Sequence, residues 1–396
     1  MKILKPVLAS LGLFATSSAL LFAQSQASQQ ATVLVPDSSI EHARDIGIRA
    51  HTNHLIHVNP NFTGTAPTGE TPASIRGVYA LPSSLTTGGS GKIAIVDAFD
   101  YPTAANDLSV FSSRFGLPAC TTANGCFKKV YANGTKPQSN CGWGQEAALD
   151  IEWAHAMAPK AKIVLVEAAT NSLADLFRAV DVATAQVTTG GGAGEVSMSW
   201  GGTEFSTEAS LNGHFQNTNV VYLAASGDTG GTNIYPSTSP YVVSAGGTTI
   251  HRNLSGAFTG ETGWSGSGGG PSKYENKLSY QNNVAGTNAT KRSAPDLSFD
   301  ANPNSGVSVY DSTSCKGLSG WLVFGGTSVS SPSLAGIVNQ AGGAPSTVSE
   351  LTTIYANRTN TSDFRDITSG TAGSFSAHSG WDFVTGVGSA KGLNGK

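Results

Sequence analysis

Charge is scarce in this chain. Only 12% of its 396 residues are Asp, Glu, Lys or Arg, and the formal balance is −3. With no basic run and no polyanionic tail, neither nucleic acid nor an anionic membrane surface is indicated as a partner. Cysteine is sparse too. Cys120, Cys126, Cys141 and Cys315 form no CxxC pair that would argue for zinc. Past the N-terminal stretch there is no apolar run long enough to span a bilayer. What is abundant is glycine, 48 residues, within a 39% hydrophobic composition that can fill one large core or two modest ones.

The N-terminus places Lys2 and Lys5 before "PVLASLGLFATSSALLFA", which gives way to the polar "QSQASQQ". This reads as a secretory signal peptide over residues 1–23, with cleavage near Ala23 or Ala27. Serines and threonines interrupt the run, which argues against a membrane anchor. Secretion, and no membrane attachment after cleavage, are therefore expected. An oxidising compartment favours disulfides, and three connectivities are possible. We expect Cys120 with Cys126, closing a short loop, and Cys141 with Cys315.

Residues 24 to about 70 are polar, end in "NPNFTGTAPTGETP", and read as an extension and linker. From Thr71 to the C-terminus, apolar strand-like runs alternate with helical patterns. The strands are expected at 92–99, 162–168, 195–200 and 219–226, with helices at about 145–157 and 172–186 and a weaker one near 207–215. Continuous apolar strands between helices predict an α/β fold, with a mostly parallel central sheet covered on both faces. Beyond 228 the chain reads as loop-rich, "SGSGGG" (265–270) being its extreme. No internal repeat is present.

Within "GQEAALDIEWAHAMAPKAK", Glu146 and Asp150 fall on one stripe with Trp153, Ala154 and Met157 at about 100° per residue. Glu152 and His155 take the opposite side, expected to be solvated. Like charges four apart weaken a helix by about 0.2–0.5 kcal/mol, and burying either one alone costs far more. Two readings follow: acids of a first helical turn pointing to water, or a coupled pair sharing a proton, with one pKa raised.

The segment "GGTSVSSPSLAG" offers Ser328 as a nucleophile, or as a helix N-cap. A serine nucleophile needs a base, usually histidine. "GTSxxxP" resembles the serine elbow of subtilisin-like proteases, and "IAIVDAFD" places Asp97 at the end of a first strand, where those proteases keep their catalytic acid. None of the eight histidines (42, 51, 54, 57, 155, 214, 251, 378) has the "HGTH" context of a subtilisin. Where that helix should begin stands "GQEAALDIE". A glutamate in place of the imidazole resembles the sedolisin family, the serine-carboxyl peptidases. Further landmarks follow in order from Thr71: "TPASIRGVYALP", "AxAPKAKI", "SMSWGG", "ASGDTG", "SGGGPS", "APDLSFDANP", "DITSG" and "GWDFVTGVGS".

The resemblance implies a subtilisin-like fold and a secreted endopeptidase that acts on proteins or peptides at acidic pH. Ser328 would attack the scissile carbonyl, Glu146 would take its proton, and Asp150 would hold Glu146. Asp228 in "SGDTGG", protonated, would join the Ser328 N–H in stabilising the oxyanion. Asp97 and Trp200 would support this network, and "SGSGGG" would pair with extended substrate, or else serve as a flexible linker. One calcium ion would be held by the Asp366 and Asp382 carboxylates with the carbonyls of Ile367, His378 and Gly380. A monomer is expected.

Sedolisins carry a large folded prodomain, for which residues 24–70 are too few. That stretch is expected to be a trimmed remnant, a short inhibitory segment or a permanent strand. Its "HTNHLIH" matches no zinc spacing. The competing function is a catalytically inactive secreted peptide-binding or adhesion protein on the same fold.

Overall fold

The computed structural model describes residues 32–59 and 63–396. The signal-peptide residues 1–23 lie outside the described residues. A ten-stranded sheet forms the centre. From Phe127–Tyr131 its neighbours run in the order Lys162–Ala168, Lys92–Ala98, Gly194–Met198, Val220–Ala225, Val243–Arg252, Leu297–Asp300 and Ser389–Ala390, all parallel. Phe258–Gly263 folds back on Val243–Arg252, and Phe364–Arg365 on Ser389–Ala390, both antiparallel.

The strands read as apolar runs because both faces are covered. Ile93 and Ile95 enter one core with the Cys141–Met157 and Thr327–Ala341 helices, whereas Ala94 and Val96 enter the other with the Leu173–Thr188 helix. Caps set where the helices begin. The Asn140 side chain accepts from the N–H groups of Gly142 and Trp143, so the helix that carries Glu146 and Asp150 starts at Cys141 and not at 145. Ser172 caps the Leu173–Thr188 helix through Asp175 N–H. The expected helix near 207–215 is a 3-10 helix, Glu208–Phe215.

Three expectations are corrected. The chain beyond 228 is not loop-rich: it contains strands from Val243–Arg252 to Leu318–Gly325 and two further helices. "SGSGGG" is not a flexible linker, since a Cβ on Gly268 or Gly269 would lie 2.0 or 2.1 Å from the carbonyl oxygen of Ser226 or Phe383. Glu152 and His155 are fully buried, because the Cys141–Met157 helix is enclosed by the Ala104–Phe115 helix, the Val307–Cys315 strand and the Thr327–Ala341 helix. Glu152 accepts from Tyr310 N–H, and His155 bonds the Pro118 carbonyl.

The described part of the extension is no linker either. Thr32–Leu34 pairs antiparallel with Leu55–Val58, which pairs with Leu318–Gly325. His51–Thr52 pairs with Trp200–Thr203. The sulfurs are joined as Cys120–Cys126 and Cys141–Cys315, the second tying the start of the Cys141–Met157 helix to the Val307–Cys315 strand. Among the described residues, no helix is long and apolar enough to cross a membrane.

Candidate active site

Side chains converge at the carboxyl ends of the parallel strands, where open α/β sheets bind their ligands. Asp97 ends Lys92–Ala98, Ser199 and Trp200 follow Gly194–Met198, and Asp228 follows Val220–Ala225. Ser328 is the second residue of the Thr327–Ala341 helix and is fully buried.

Gly326 shapes this helix entry. It has φ +94°, and a Cβ there would lie 2.2 Å from the Asn53 carbonyl oxygen and 2.5 Å from Asp228 Oδ2. Only glycine allows both the conformation and the approach. Pro332, four residues after Ser328, has no N–H for the Ser328 carbonyl. The hydroxyl of Ser199 donates to that carbonyl at 3.3 Å and to Asp150 Oδ1 at 2.8 Å. Ser199 thereby links the acid helix to the serine helix, a contact that local sequence does not signal.

The acids are enclosed. Glu146 and Asp150 are fully buried and Asp97 nearly so, which excludes the water-facing reading of the acid pair. Burial, then the charges of Asp97 and Glu146, holds the Asp150 carboxyl well above the usual range, against the bond from Ser199. Asp97 is likewise raised by burial, Glu146 and Glu167. Both Asp97 oxygens, Glu146 Oε1 and Asp150 Oδ2 lack hydrogen-bond partners among the described residues. Buried carboxyls in mutual repulsion favour proton sharing. Burial pushes Asp228 up to about 8, against the bonds from Thr327 that pull it down. Part of the residue still meets solvent, which moderates that shift.

Not every sequence-predicted residue joins this cluster. Trp200 turns away, donating to the Val96 carbonyl at 2.8 Å and packing edge-on against Phe177 in the second core. The Ser328 hydroxyl donates to the Ser199 carbonyl and accepts from Asn53 N–H, each at 3.2 Å. Its partners therefore include the extension. So do those of Glu146: His54 Nδ1 lies 2.9 Å from Glu146 Oε2 with both side chains fully buried, and the imidazole stacks on Phe324. Sequence context misses His54 because it arrives from a strand edge and not from the next helix. It does not bond Ser328, and no cluster of three metal-ligating side chains among the described residues includes His51, His54 or His57. Residues 51–57 pass beside Ser328, pairing with Gly201 and Trp200 on one side and with Val323, Phe324 and Gly325 on the other. A separate cavity of about 430 Å³ lies between the extension and Trp143, and neither Ser328 nor Glu146 lines it.

Near the C-terminus the two predicted calcium loops meet. Ser379 Oγ and Gly380 N–H donate to the exposed Asp366 carboxylate at 3.1 Å. Asp382 accepts from the N–H groups of His378, Val384 and Thr385. The oxygen-rich set suits a hard cation.

Solved structures resemble this architecture. Pseudomonas sedolisin, a serine-carboxyl proteinase complexed with two molecules of pseudo-iodotyrostatin, superposes with a TM-score of 0.68 at 23% identity, covering 82% of this chain and 96% of that one. The S41 psychrophilic protease and sphericase superpose at 0.55 and 0.53, at 19% and 18% identity. At such identities the likeness defines the fold, which is subtilisin-like. No family model matches the chain.

In sequence, kumamolisin from Bacillus sp. (strain MN-32) is 31% identical over 373 residues, covering 83% of this chain and 63% of the relative. Sedolisin from Pseudomonas sp. (strain 101) is 33% identical over 172 residues, and xanthomonalisin from Xanthomonas sp. (strain T-22) is 33% identical over 183, each covering 39% of this chain. The chain belongs to the sedolisin family of serine-type peptidases. It spans 28%, 63% and 21% of the lengths of sedolisin, kumamolisin and xanthomonalisin.

Proposed function

We propose that the protein is a secreted, monomeric serine-carboxyl endopeptidase that hydrolyses proteins or peptides at acidic pH. One observation carries this reading. A serine at a helix entry and a fully buried acid of a facing helix, Asp150, are joined through one hydroxyl, that of Ser199, and a second fully buried acid, Glu146, stands one turn before Asp150 on the same helix. Ser328 Oγ attacks the substrate carbonyl and Glu146 takes its proton, with Asp150 sharing the charge and Asp97 lending repulsion that keeps a proton in the cluster. The oxyanion meets Ser328 N–H and protonated Asp228. A carboxyl base and a neutral Asp228 both favour acid.

The test is an assay of the protein, Ser328→Ala and Glu146→Gln on a denatured protein substrate from pH 2 to 8. Cleavage confined to acid, and lost in both variants, is expected. No cleavage at any pH overturns the enzyme reading. An optimum near pH 8 with Glu146→Gln unimpaired overturns the carboxyl mechanism.

One calcium ion at Asp366, Asp382 and the carbonyls of Ile367, His378 and Gly380 belongs to the same proposal, supported by the meeting of the two loops. Bound there, it would tie the C-terminal loops together. Chelation should lower the melting temperature and added calcium restore it; an unchanged melt rejects the site.

A further inference from the structure

Two backbone segments flank one side of Ser328. Trp200–Thr203 follows the strand Gly194–Met198, and Ser226, Gly227 and Asp228 follow its paired neighbour, Val220–Ala225. Asn53 marks where a residue lies when its carbonyl rests against the serine. Its carbonyl oxygen accepts from Ser328 N–H at 3.0 Å, while its N–H and its side-chain amide both donate to the Ser199 carbonyl at 3.2 Å. The side chain at this place is thus turned toward the segment that carries Gly201.

Gly201 and Gly227 leave room between the two segments, and Ile234 takes it. A Cβ on Gly201 would lie 2.5 Å from Ile234 Cδ1 and 3.0 Å from its Cγ1, and one on Gly227 would lie 3.3 Å from Cδ1, Cγ1 and Cγ2 alike. One isoleucine, buried, therefore reaches the bare face of both walls.

Wedge and walls are both fixed. Ile234 and Tyr235 pair antiparallel with Thr203 and Gly202, the Asn233 side-chain amide donates to the Gly270 carbonyl at 3.0 Å, and Tyr235 packs in the second core against Phe177 and Phe215. A β-branched side chain held in this way has little rotamer freedom. Gly227 N–H donates to Thr327 Oγ1 at 3.1 Å, and the Gly227 carbonyl accepts from Gly268 N–H at 2.8 Å.

We infer that Ile234 is the specificity-determining residue for the substrate side chain on the acyl side of the scissile bond: it closes the slot between Gly201 and Gly227, so that glycine, alanine, serine or asparagine is taken there and aromatic or long aliphatic residues are refused. This rests on the peptidase reading given above. A larger side chain would have to displace a buried, branched one, and interiors packed to this density do not admit extra carbons without strain.

The full chain is assayed at pH 4 on two peptides that differ only in that residue, alanine or phenylalanine, and on a denatured protein whose products are identified by mass spectrometry. Cuts also made by Ser328→Ala are discounted. The expected result is a kcat/KM about 100-fold or more higher for the alanine peptide, and a protein cut after small residues. Ile234→Ala removes all three carbons beyond Cβ and should lower that ratio by about 10- to 200-fold; Ile234→Val removes only Cδ1 and should lower it less. Circular dichroism verifies that each variant is folded, and if Ile234→Ala is not, the valine variant and the cut sites of the unaltered chain decide. Equal rates on the two peptides, cutting chiefly after aromatic residues, or an unchanged ratio in a folded variant overturns the inference and leaves the proposed function standing. If neither the peptides nor the protein are cleaved, the proposed function fails and the inference with it.

Discussion

Asp228 Oδ1 accepts both the main-chain N–H and the hydroxyl of Thr327, at 2.8 and 2.9 Å, which fixes the carboxyl beside the entry to the serine helix. Its other oxygen has no partner among the described residues and, like the Asn53 carbonyl oxygen, closes around Gly326. With its pKa pushed up to about 8, Asp228 is a proton donor in acid and loses that capacity as pH rises.

Asp228→Ala should therefore lower kcat by about 10²–10³-fold, the usual consequence of losing one oxyanion donor. Asp228→Asn keeps an N–H donor at every pH and should retain more activity, with a weaker decline on the alkaline side. Steady-state kinetics of both variants across pH would check this; equal losses would remove Asp228 from the oxyanion site.

Gly326→Ala adds a Cβ at φ +94°, against a carbonyl oxygen 2.2 Å away. Backbone strain of about 1–3 kcal/mol is expected, together with displacement of Ser328. Thermal unfolding should show a lower melting temperature, and turnover should fall steeply.

Ser199 is a positioning residue. Ser199→Ala removes its bonds to Asp150 and to the Ser328 carbonyl, and a bond to a carboxyl contributes about 1.5–3 kcal/mol when the group is charged. We expect kcat to fall about 10- to 100-fold with little change in KM. The pH profile should also move, because the Ser199 bond opposes the burial and charges that raise the Asp150 carboxyl. An unchanged profile would leave Ser199 a packing role only.

Stability should fall as pH rises. Burial raises Glu195 to about 8, Glu208 to about 9, and Glu167, Glu350 and Asp311 to about 7. These carboxyls are protonated when folded but ionise near pH 4 when unfolded. Between about pH 4 and those raised values the native state holds the extra proton, so each group removes stability at about 1.4 kcal/mol per pH unit. The full stability is present below about pH 4 with respect to these groups. Melting curves from pH 4 to 9 should show a steady drop; a maximum near pH 8 would contradict the raised values.

Much of the fold is legible in sequence because parallel strands buried on both faces need continuous apolar runs. Lys162–Ala168 falls where that run predicts it. The serine helix and the acid helix are legible through "GGTSVSSP" and "GQEAALDIE". Helix faces are less so. A stripe of acids implies an amphipathic helix, yet Glu152 and His155 on the other side are also buried, since enclosure by neighbouring elements is not encoded in a helix's own periodicity. The Asn140 start was hidden by the glycines of "CGWGQ", which are weak helix formers whatever caps them.

The extension is the clearest divide. Strands of two and four residues, His51–Thr52 and Leu55–Val58, are too short to show an alternation, and their polar residues read as linker. By itself the sequence singled out the candidates for chemistry, Ser328, Glu146, Asp150 and Asp228, with no histidine in a subtilisin context. Only the tertiary structure decided what meets them. Asn53 and Ser328 are 275 positions apart, and His54 and Glu146 are 92 apart. Such contacts form because strand edges beside the serine pair with the extension through backbone hydrogen bonds, which carry no sequence signature, and that pairing brings Asn53 and His54 to Ser328 and Glu146.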